Sequence, residues 1–229
     1  MKTFKESFKL YTRNVEHIFL LSLTVLLPFF LFQTLIVNQV YIAASNTPFL
    51  FVGDITNSVY MLLFSIVTQL PFIQFALSDL EGEEGRLKKS YGIFLKYGFS
   101  MFLFGLCYVS VVLTGMLLFI IPGIIAAVLL FLTPYMTVMS GKPARQTWKV
   151  TFRLGKRKFF PIFLIVLLTA LVEFMIGFVL MNMVATVTTS YLAIILSQAV
   201  VNMIIFPFVV IFTTLNVREW HDELVFQAK

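Results

Sequence analysis

Long apolar stretches separated by short polar segments dominate this sequence. A helix needs about 20 apolar residues to cross the roughly 30 Å hydrocarbon core of a bilayer. Six stretches approach or exceed that length, and we predict a membrane-spanning helix in each of them: 18–37, 58–77, 99–120, 123–139, 159–181 and 191–215. The first stretch is too long for the apolar part of a signal peptide, so we interpret it as a retained span.

The third and fourth spans come from one uncharged block, residues 99–139. A single helix of that length would extend about 60 Å, twice the hydrocarbon thickness, at 1.5 Å per residue. The block must therefore reverse direction. We predict the turn at Pro122 and Gly123, because proline interrupts a helix and glycine permits a tight turn.

The composition agrees with a membrane protein. The 229 residues are 59% hydrophobic and 12% charged, whereas soluble domains have about 25% charged and about 45–50% apolar residues. We expect an all-α, polytopic transmembrane bundle that forms a single integral membrane domain, residues 1–229. The single cysteine excludes an internal disulfide, and the two histidines lie near the chain ends. No metal site, cofactor or nucleic-acid partner is expected.

The distribution of basic residues predicts the orientation of the chain. All 17 Lys and Arg residues lie before span one, between spans two and three, between spans four and five, or after span six. The loops on the opposite side carry a single charge, that of Asp54. Because cytoplasmic segments of membrane proteins are enriched in bases, we expect both termini in the cytoplasm.

A short motif recurs before the odd-numbered spans. KESFKLYTR (5–13), KKSYGIFLK (88–96) and RQTWKVTFR (145–153) share a base, any residue, Ser or Thr, an aromatic residue, four residues and a base. At about 100° per residue, the aromatic and basic side chains occupy neighbouring helix faces. We therefore predict three hairpins, each preceded by an amphipathic helix that lies in the headgroup layer. These interfacial helices are predicted at 3–15, 86–98 and 144–158.

The third copy of the motif has the highest positive charge, since its segment 142–158 contains seven bases and no acid. Bases near an anionic membrane surface contribute about 1 kcal/mol each to binding. Anchoring of the fold is one interpretation, and recognition of an anionic lipid headgroup or a partner protein is the other. The candidate contact residues are Arg145, Trp148, Lys149, Arg153 and Lys156.

Spans two, four and six each contain one proline, Pro71, Pro134 and Pro207. With Pro122 and Gly123, these residues are candidate hinges. A proline in a span can kink the helix and free carbonyls to line a cavity, or it can shape helix packing. The acidic segment 79–85 lacks the ligand spacing of a calcium loop, so we interpret it as a solvated linker.

Two segments resemble a large bacterial family. IPGIIAAVLLFLTPYMTVMSG (121–141) and PARQTWKVTFRLGKRKFFPIFL (143–164) are similar to the central region of YciC-like inner-membrane proteins. The same region resembles the membrane domain fused to some glycerophosphoryl diester phosphodiesterases. The matching positions are Pro122, Gly123, Ala144, Thr147 and Trp148, with Thr in place of the family's usual Ser.

The C-terminal TTLNVREWHDE (213–223) resembles the last helix of this family, which often reads YxDLR, but the Tyr and Asp of that pattern are missing at the matching positions. The resemblance implies a location in the bacterial cytoplasmic (inner) membrane. It transfers no catalytic residue, and without a phosphodiesterase domain that activity is not implied.

Glu173 is the one ionisable residue well inside a predicted span. Such a carboxyl group can carry a coupled proton, or it can form a hydrogen bond between helices in its protonated form. Gln198 and Asn202 are four residues apart and share one helix face, and Gln69 offers a further polar group in span two. We treat these four residues as a candidate intramembrane polar site.

Three functions remain open. The first is a non-enzymatic membrane protein that assists transport or membrane integrity, as an exporter accessory subunit, a resistance or immunity factor, or a lipid-handling protein. The second is a proton-coupled small carrier that uses Glu173. The third is a lipid-modifying enzyme, which the nearly uncharged outer loops do not favour. The expected partners are anionic lipids at the cytoplasmic face, with a transporter subunit or a second copy of the chain as further candidates.

Overall fold

The computed structural model describes residues 2–227. Lys229, one of the 17 basic residues that predict the orientation, lies outside the described residues. The described chain is helical and contains no strand. Its helices are α1 (Lys2–Arg13), α2 (Val15–Leu21), α3 (Leu27–Ala44), α4 (Phe51–Leu80), α5 (Arg86–Leu118), α6 (Ile120–Leu130), α7 (Thr133–Ser140), α8 (Ala144–Arg157), α9 (Phe159–Val187) and α10 (Tyr191–Gln227).

Six helical segments within residues 2–227 are long and apolar enough to cross a membrane, which confirms the predicted bundle of six spans. They are Val15–Ala44, Phe51–Leu80, Arg86–Leu118, Ile120–Ser140, Phe159–Val187 and Leu192–Glu223. All six are longer than predicted, because the helical backbone continues past the apolar residues that identified each span.

The first span is not a uniform α-helix. A π-helical turn, Ser22–Leu26, joins α2 to α3. The buried hydroxyl of Ser22 lies 2.9 Å from the carbonyl oxygen of Ile18 and 3.1 Å from that of Met203 in α10. Turns of π-helix are rare and frequently adjoin functional sites.

The reversal between the third and fourth spans lies slightly before its predicted position. Phe119, between α5 and α6, has an extended backbone with φ −155° and ψ 135°. Pro122 lies in the first turn of α6, where its missing N–H costs no intrahelical hydrogen bond. Gly123 does not make the turn. It permits close packing instead, since a Cβ on Gly115 of α5 would lie 2.9 Å from the Cα of Gly123.

The three prolines of the even-numbered spans occupy different positions. Pro71 and Pro207 lie inside α4 and α10, and both helices continue through them. Pro134 lies in the first turn of α7, after a break at residues 131–132 that divides the fourth span. In α10, Pro207 cannot donate a hydrogen bond to the carbonyl of Met203. The hydroxyl of Ser22 takes the place of that donor.

Two of the three predicted amphipathic helices are separate elements. A break at Asn14 ends α1, and a break at Lys158 ends α8. The predicted helix 86–98 is not separate, because α5 continues without interruption from Arg86 to Leu118. The segment 86–98 is therefore the first part of a longer helix and not an element of its own.

The Ser or Thr of each motif copy is buried against the bundle. Ser7, Ser90 and Thr147 are 0%, 0% and 3% exposed. Each hydroxyl donates to a carbonyl of the preceding turn, over 2.7, 2.9 and 3.2 Å respectively. A small side chain whose hydroxyl is satisfied within its own helix allows another helix to approach closely. The motif thus has a packing role on one face and exposed bases on the other.

Helix α4 is the central helix of the bundle. Nearly all of its side chains between Leu63 and Asp79 are buried, and it packs against α3, α5, α7 and α10. Helix α9 is the opposite case, since Ile162 is its one buried residue. Most of the apolar surface of α9 therefore faces outward.

A cluster of charged and polar side chains around the buried Asp79 joins α1, α4 and α5. The Asp79 carboxylate, with a side chain that is 0% exposed, is 2.5 Å from the Arg13 guanidinium and also pairs with Arg86. The Asn14 amide donates to the same carboxylate over 3.1 Å. The interpretation of segment 79–85 as a solvated linker is therefore wrong for its first residue, which lies on the buried face of α4.

Candidate intramembrane cavity

A cavity of about 670 Å³ lies between the helices of the bundle and is partly open to its surroundings; it is lined by residues of α3, α4, α5, α6, α7, α9 and α10. Most of the lining side chains are Leu, Ile, Val, Phe, Met or Ala. Leu26, at the end of the π-helical turn, is part of the lining. Cavities of about 300–1,000 Å³ with apolar walls and a few convergent polar groups are typical small-molecule sites.

All four polar residues selected from the sequence line this cavity: Gln69, Glu173, Gln198 and Asn202. Helix α4 supplies the first, α9 the second, and α10 the other two, which lie one turn apart. The sequence alone could place only the α10 pair together. The packing of α4, α9 and α10 brings the complete set around one space.

Glu173 lies at the midpoint of α9 (Phe159–Val187), about 21 Å from either end at 1.5 Å per residue. Its side chain is partly buried and lines the cavity. Among the described residues, its carboxylate has no hydrogen-bond or ion-pair partner. The hydrogen bond between helices that we considered from the sequence is therefore not formed, and the carboxylate is free to interact with a molecule in the cavity.

Gln69 presents a second polar group without a partner. Its side chain is 4% exposed, and its Oε1 atom has no hydrogen-bond partner in the described part of the chain. A buried polar group left unsatisfied costs about 1–3 kcal/mol.

Asn57 also lines the cavity, and sequence reasoning missed it. Its Oδ1 accepts a hydrogen bond from Gln33 Nε2 over 3.0 Å, which links α3 to α4. Asn57 comes directly before the predicted start of span two, so it was counted as part of a loop. Its position seven residues inside a longer helix is evident only from the bounds of α4, Phe51–Leu80.

The five hinge candidates do not line the cavity. Pro71, Pro134, Pro207 and Gly123 are buried in helix contacts, and Pro122 is exposed at the start of α6. The carbonyl of Met203 that Pro207 leaves unpaired is bound by Ser22. In α10 the proline therefore shapes helix packing and does not open a polar surface toward the cavity.

The five candidate lipid contacts lie on the outer surface of α8, away from the cavity lining. All five are exposed: Arg145, Trp148, Lys149, Arg153 and Lys156. Two of the bases lie near aromatic rings of the same helix. The ammonium of Lys149 is 5.7 Å from the centroid of Trp148, and that of Lys156 is 5.9 Å from the centroid of Phe152.

The opposite face of α8 combines small residues with the fully buried Leu154 and packs against α6 and α7. Gly155 shows how close this contact is, because a Cβ there would lie 2.6 Å from the carbonyl oxygen of Leu129 in α6. Helix α8 is thus held firmly to the bundle while its basic and aromatic side chains remain outside. This arrangement is typical of a helix at a membrane surface.

The chain offers two separate features, a partly open cavity with polar groups between the helices and a basic helix on the outer surface. Comparison of the chain with models of protein families, with curated proteins and with solved structures finds no match.

Proposed function

We propose that this protein is a non-enzymatic, multi-pass membrane protein that handles a lipid or another amphipathic molecule and so assists transport or membrane integrity. One observation carries this proposal: a largely apolar cavity of about 670 Å³ on which Gln69, Glu173, Gln198 and Asn202 converge. Apolar walls suit an acyl or aromatic body, and the polar side chains suit a headgroup. A protein that binds such molecules could act as an exporter accessory subunit or as a resistance or immunity factor.

We also propose that the chain lies in a bacterial cytoplasmic membrane with both termini in the cytoplasm. The support is the placement of every Lys and Arg in alternate connecting segments. In this orientation the exposed bases of α8 meet anionic headgroups of the inner leaflet. In a Cys107→Ser background, Asn46→Cys should react with an impermeant maleimide in intact cells, whereas Gln146→Cys should react only after permeabilisation. The reverse pattern would refute the orientation.

The cavity can be tested by filling it. Ala170 of α9 is exposed to the cavity, so a larger side chain there should occupy the space without overpacking a closed core. Ala185 of the same helix is exposed but does not line the cavity. It provides a matched control.

We expect Ala170→Phe to reduce binding of a fluorescent phospholipid analogue to the purified protein at least fivefold, and Ala185→Phe to leave it unchanged. Circular dichroism and tryptophan fluorescence would verify that both variants are folded. Equal binding by the two folded variants would contradict the proposal, because the analogue would then bind outside the cavity.

A proton-coupled carrier is the second candidate, and the unpaired carboxyl of Glu173 is the observation that favours it. A carrier of this kind needs a group that gains and loses a proton as the substrate moves. In proteoliposomes, Glu173→Gln should then abolish proton movement coupled to the substrate while the protein stays folded. If the variant retains full coupled transport, Glu173 is not the coupling group. No observation favours the lipid-modifying enzyme.

A further inference from the structure

In the described part of the chain, the cavity contains one ionisable side chain of the Asp, Glu, Lys, Arg and His types, and it is an acid. Among the described residues that line it, Glu173 is the only Asp, Glu, Lys, Arg or His. Its carboxylate has no partner in the described part of the chain. In its ionised form, a carboxylate among apolar side chains is unfavourable unless an opposite charge or several hydrogen-bond donors accompany it. No basic side chain of the described residues lines the cavity, so a ligand with a positive group would supply the opposite charge.

Resting on the proposed function, we infer that the molecule the cavity accepts is a lipophilic cation, with an ammonium or related onium group on an apolar body. The carboxylate of Glu173 would pair with the cationic group. The apolar walls formed by α4, α5, α6 and α10 would hold the body of the molecule.

Other side chains of the cavity can add to this pairing. Gln198 and Asn202 of α10 line the same cavity, and their amide oxygens accept hydrogen bonds. With the Glu173 carboxylate of α9, they offer acceptors from two helices to the several N–H donors of a protonated amine. An anionic ligand would instead meet repulsion at Glu173 and find no basic side chain in the lining.

Aromatic rings around the cavity favour the same ligand class. The faces of aromatic rings attract cations within about 6 Å of the ring centre. Six phenylalanines are among the lining residues: Phe29, Phe30, Phe64, Phe131, Phe163 and Phe206. In the described part of the chain, the lysine–ring contacts involve Tyr97, Trp148, Phe152 and Trp220, none of which lines the cavity. The rings of the cavity are therefore not engaged by the protein's own lysines.

The cationic group can come from two sources. It can belong to a soluble amphipathic amine that enters the membrane, or to the ammonium headgroup of an aminolipid already in the bilayer. Both share the same chemistry, a positive nitrogen attached to an apolar body. The experiment therefore needs one arm for charge selectivity and one arm for the source.

The first arm uses two probes of matched size and shape and opposite charge, tetraphenylphosphonium and tetraphenylborate. Their binding to the purified protein in non-ionic detergent is measured by equilibrium dialysis. We expect saturable binding of tetraphenylphosphonium and at least tenfold weaker binding of tetraphenylborate. Glu173→Gln should weaken binding of the cation at least tenfold, whereas Glu173→Asp, which keeps the charge, should stay within a few-fold of the wild type.

Asp54→Asn is the matched control, because it removes the same charge from a residue outside the cavity lining. It should leave binding of tetraphenylphosphonium unchanged. Loss of binding by Asp54→Asn and Glu173→Gln alike would overturn the assignment of Glu173, since a general effect of net charge would then explain both. Melting curves followed by tryptophan fluorescence identify any variant that fails to fold.

The outcomes separate this inference from the function on which it rests. If both probes bind equally and Ala170→Phe blocks both, the cavity handles amphipathic molecules but does not select cations. If Ala170→Phe affects neither probe, the cavity is not the binding site and both proposals fail.

The second arm repeats the titration in nanodiscs made of phosphatidylglycerol alone or mixed with phosphatidylethanolamine. Competition by phosphatidylethanolamine, seen as weaker apparent binding of the probe, identifies an aminolipid as the source. Unchanged binding identifies a soluble amphipathic amine.

Discussion

Asp79→Asn should destabilise the bundle, because the carboxylate of Asp79 is fully buried and joins three helices. It pairs with Arg13 of α1 and Arg86 of α5, and the Asn14 amide donates to it over 3.1 Å. A neutral amide at this position would leave the two guanidinium groups without a negative charge between them. The NH2 group of the new asparagine would also face the N–H donors that surround Asp79 in the wild type.

The size of the stability loss caused by Asp79→Asn depends on how exposed each partner of Asp79 is. Hydrogen bonds to charged groups contribute about 1.5–3 kcal/mol each, and removal of one partner from a fully buried ion pair costs about 3–5 kcal/mol. The side chains of Arg13 and Arg86 are 57% and 33% exposed, so both cations remain partly hydrated after the substitution. After discounting for this hydration, we expect a loss of about 2–3 kcal/mol.

Glu83→Gln is the matched control for this measurement, because it removes the same charge from the same connection between α4 and α5. Glu83 and Lys89 form an ion pair of 2.8 Å with side chains that are 33% and 45% exposed. Exposed pairs of this kind contribute little to stability, because solvent screens the two charges.

Thermal unfolding of the purified protein in non-ionic detergent, followed by tryptophan fluorescence, compares the two variants. At about 2–4 °C per kcal/mol for a protein of this size, Asp79→Asn should lower the Tm by about 4–12 °C. The double variant Asp79→Asn with Arg86→Met should recover part of this loss, because it removes one of the unpaired cations. A shift for Asp79→Asn no larger than that for Glu83→Gln would refute the reasoning.

Three further predictions concern the α4–α5 connection, helix packing and the outer face of α8. Hydrogen bonds from Lys89 and Ser78 lower the pKa of Glu83 from its ordinary value of 4.5. The stabilisation that ionised Glu83 provides is therefore present above pH 4.5 and is lost as the pH falls through the lowered pKa. The Tm difference between wild type and Glu83→Gln should disappear below that pKa. Gly155→Ala should cost about 1–3 kcal/mol by overpacking, whereas Gly92→Ala, with nothing within 4 Å of the added Cβ, should stabilise α5 by about 0.5–1 kcal/mol. The same melting assay would measure both, and an equal effect of the two would contradict the close packing of α8. Charge reversal of Arg145, Lys149 and Arg153 on α8 should weaken the retention of phosphatidylglycerol, measured by native mass spectrometry, by about 1 kcal/mol per base. Unchanged retention would exclude these three bases as the lipid contact.

The number, order and helical nature of the spans could be predicted from the sequence, because a span requires little more than a sufficient apolar length. The bounds were less predictable. Helix α4 begins at Phe51, seven residues before its predicted start, since the backbone hydrogen bonds of a helix continue through polar residues such as Asn57. For the same reason, α5 continues through the segment that was predicted to lie separately in the headgroup layer.

The burial of Asp79 was not predictable from local pattern. It follows an apolar stretch and precedes three glutamates, so its neighbours in the sequence are those of a polar loop. It is buried because α1 and α5 both supply an arginine at the last turn of α4. Contacts between residues so distant in the sequence depend on tertiary packing.

The candidate site was predictable in part. Glu173, Gln198, Asn202 and Gln69 stand out because polar side chains are costly in apolar spans. That they line one cavity depends on how α4, α9 and α10 are rotated about their axes, which a nearly uniform apolar sequence does not specify. Helix α9 illustrates this, because its apolar residues are spread around the whole helix and indicate no preferred face.

Photolabelling tests the central claim, that an amphipathic molecule occupies the cavity, most directly. Membranes containing the protein would be treated with an alkylamine that carries a photoactivatable diazirine, with and without excess unlabelled amine, and the labelled peptides mapped by mass spectrometry. We expect competable labelling at cavity residues such as Thr169 and Met203, and its loss in Ala170→Phe. Labelling confined to the outward-facing Phe174 and Phe178, unaffected by competitor or by Ala170→Phe, would contradict the account.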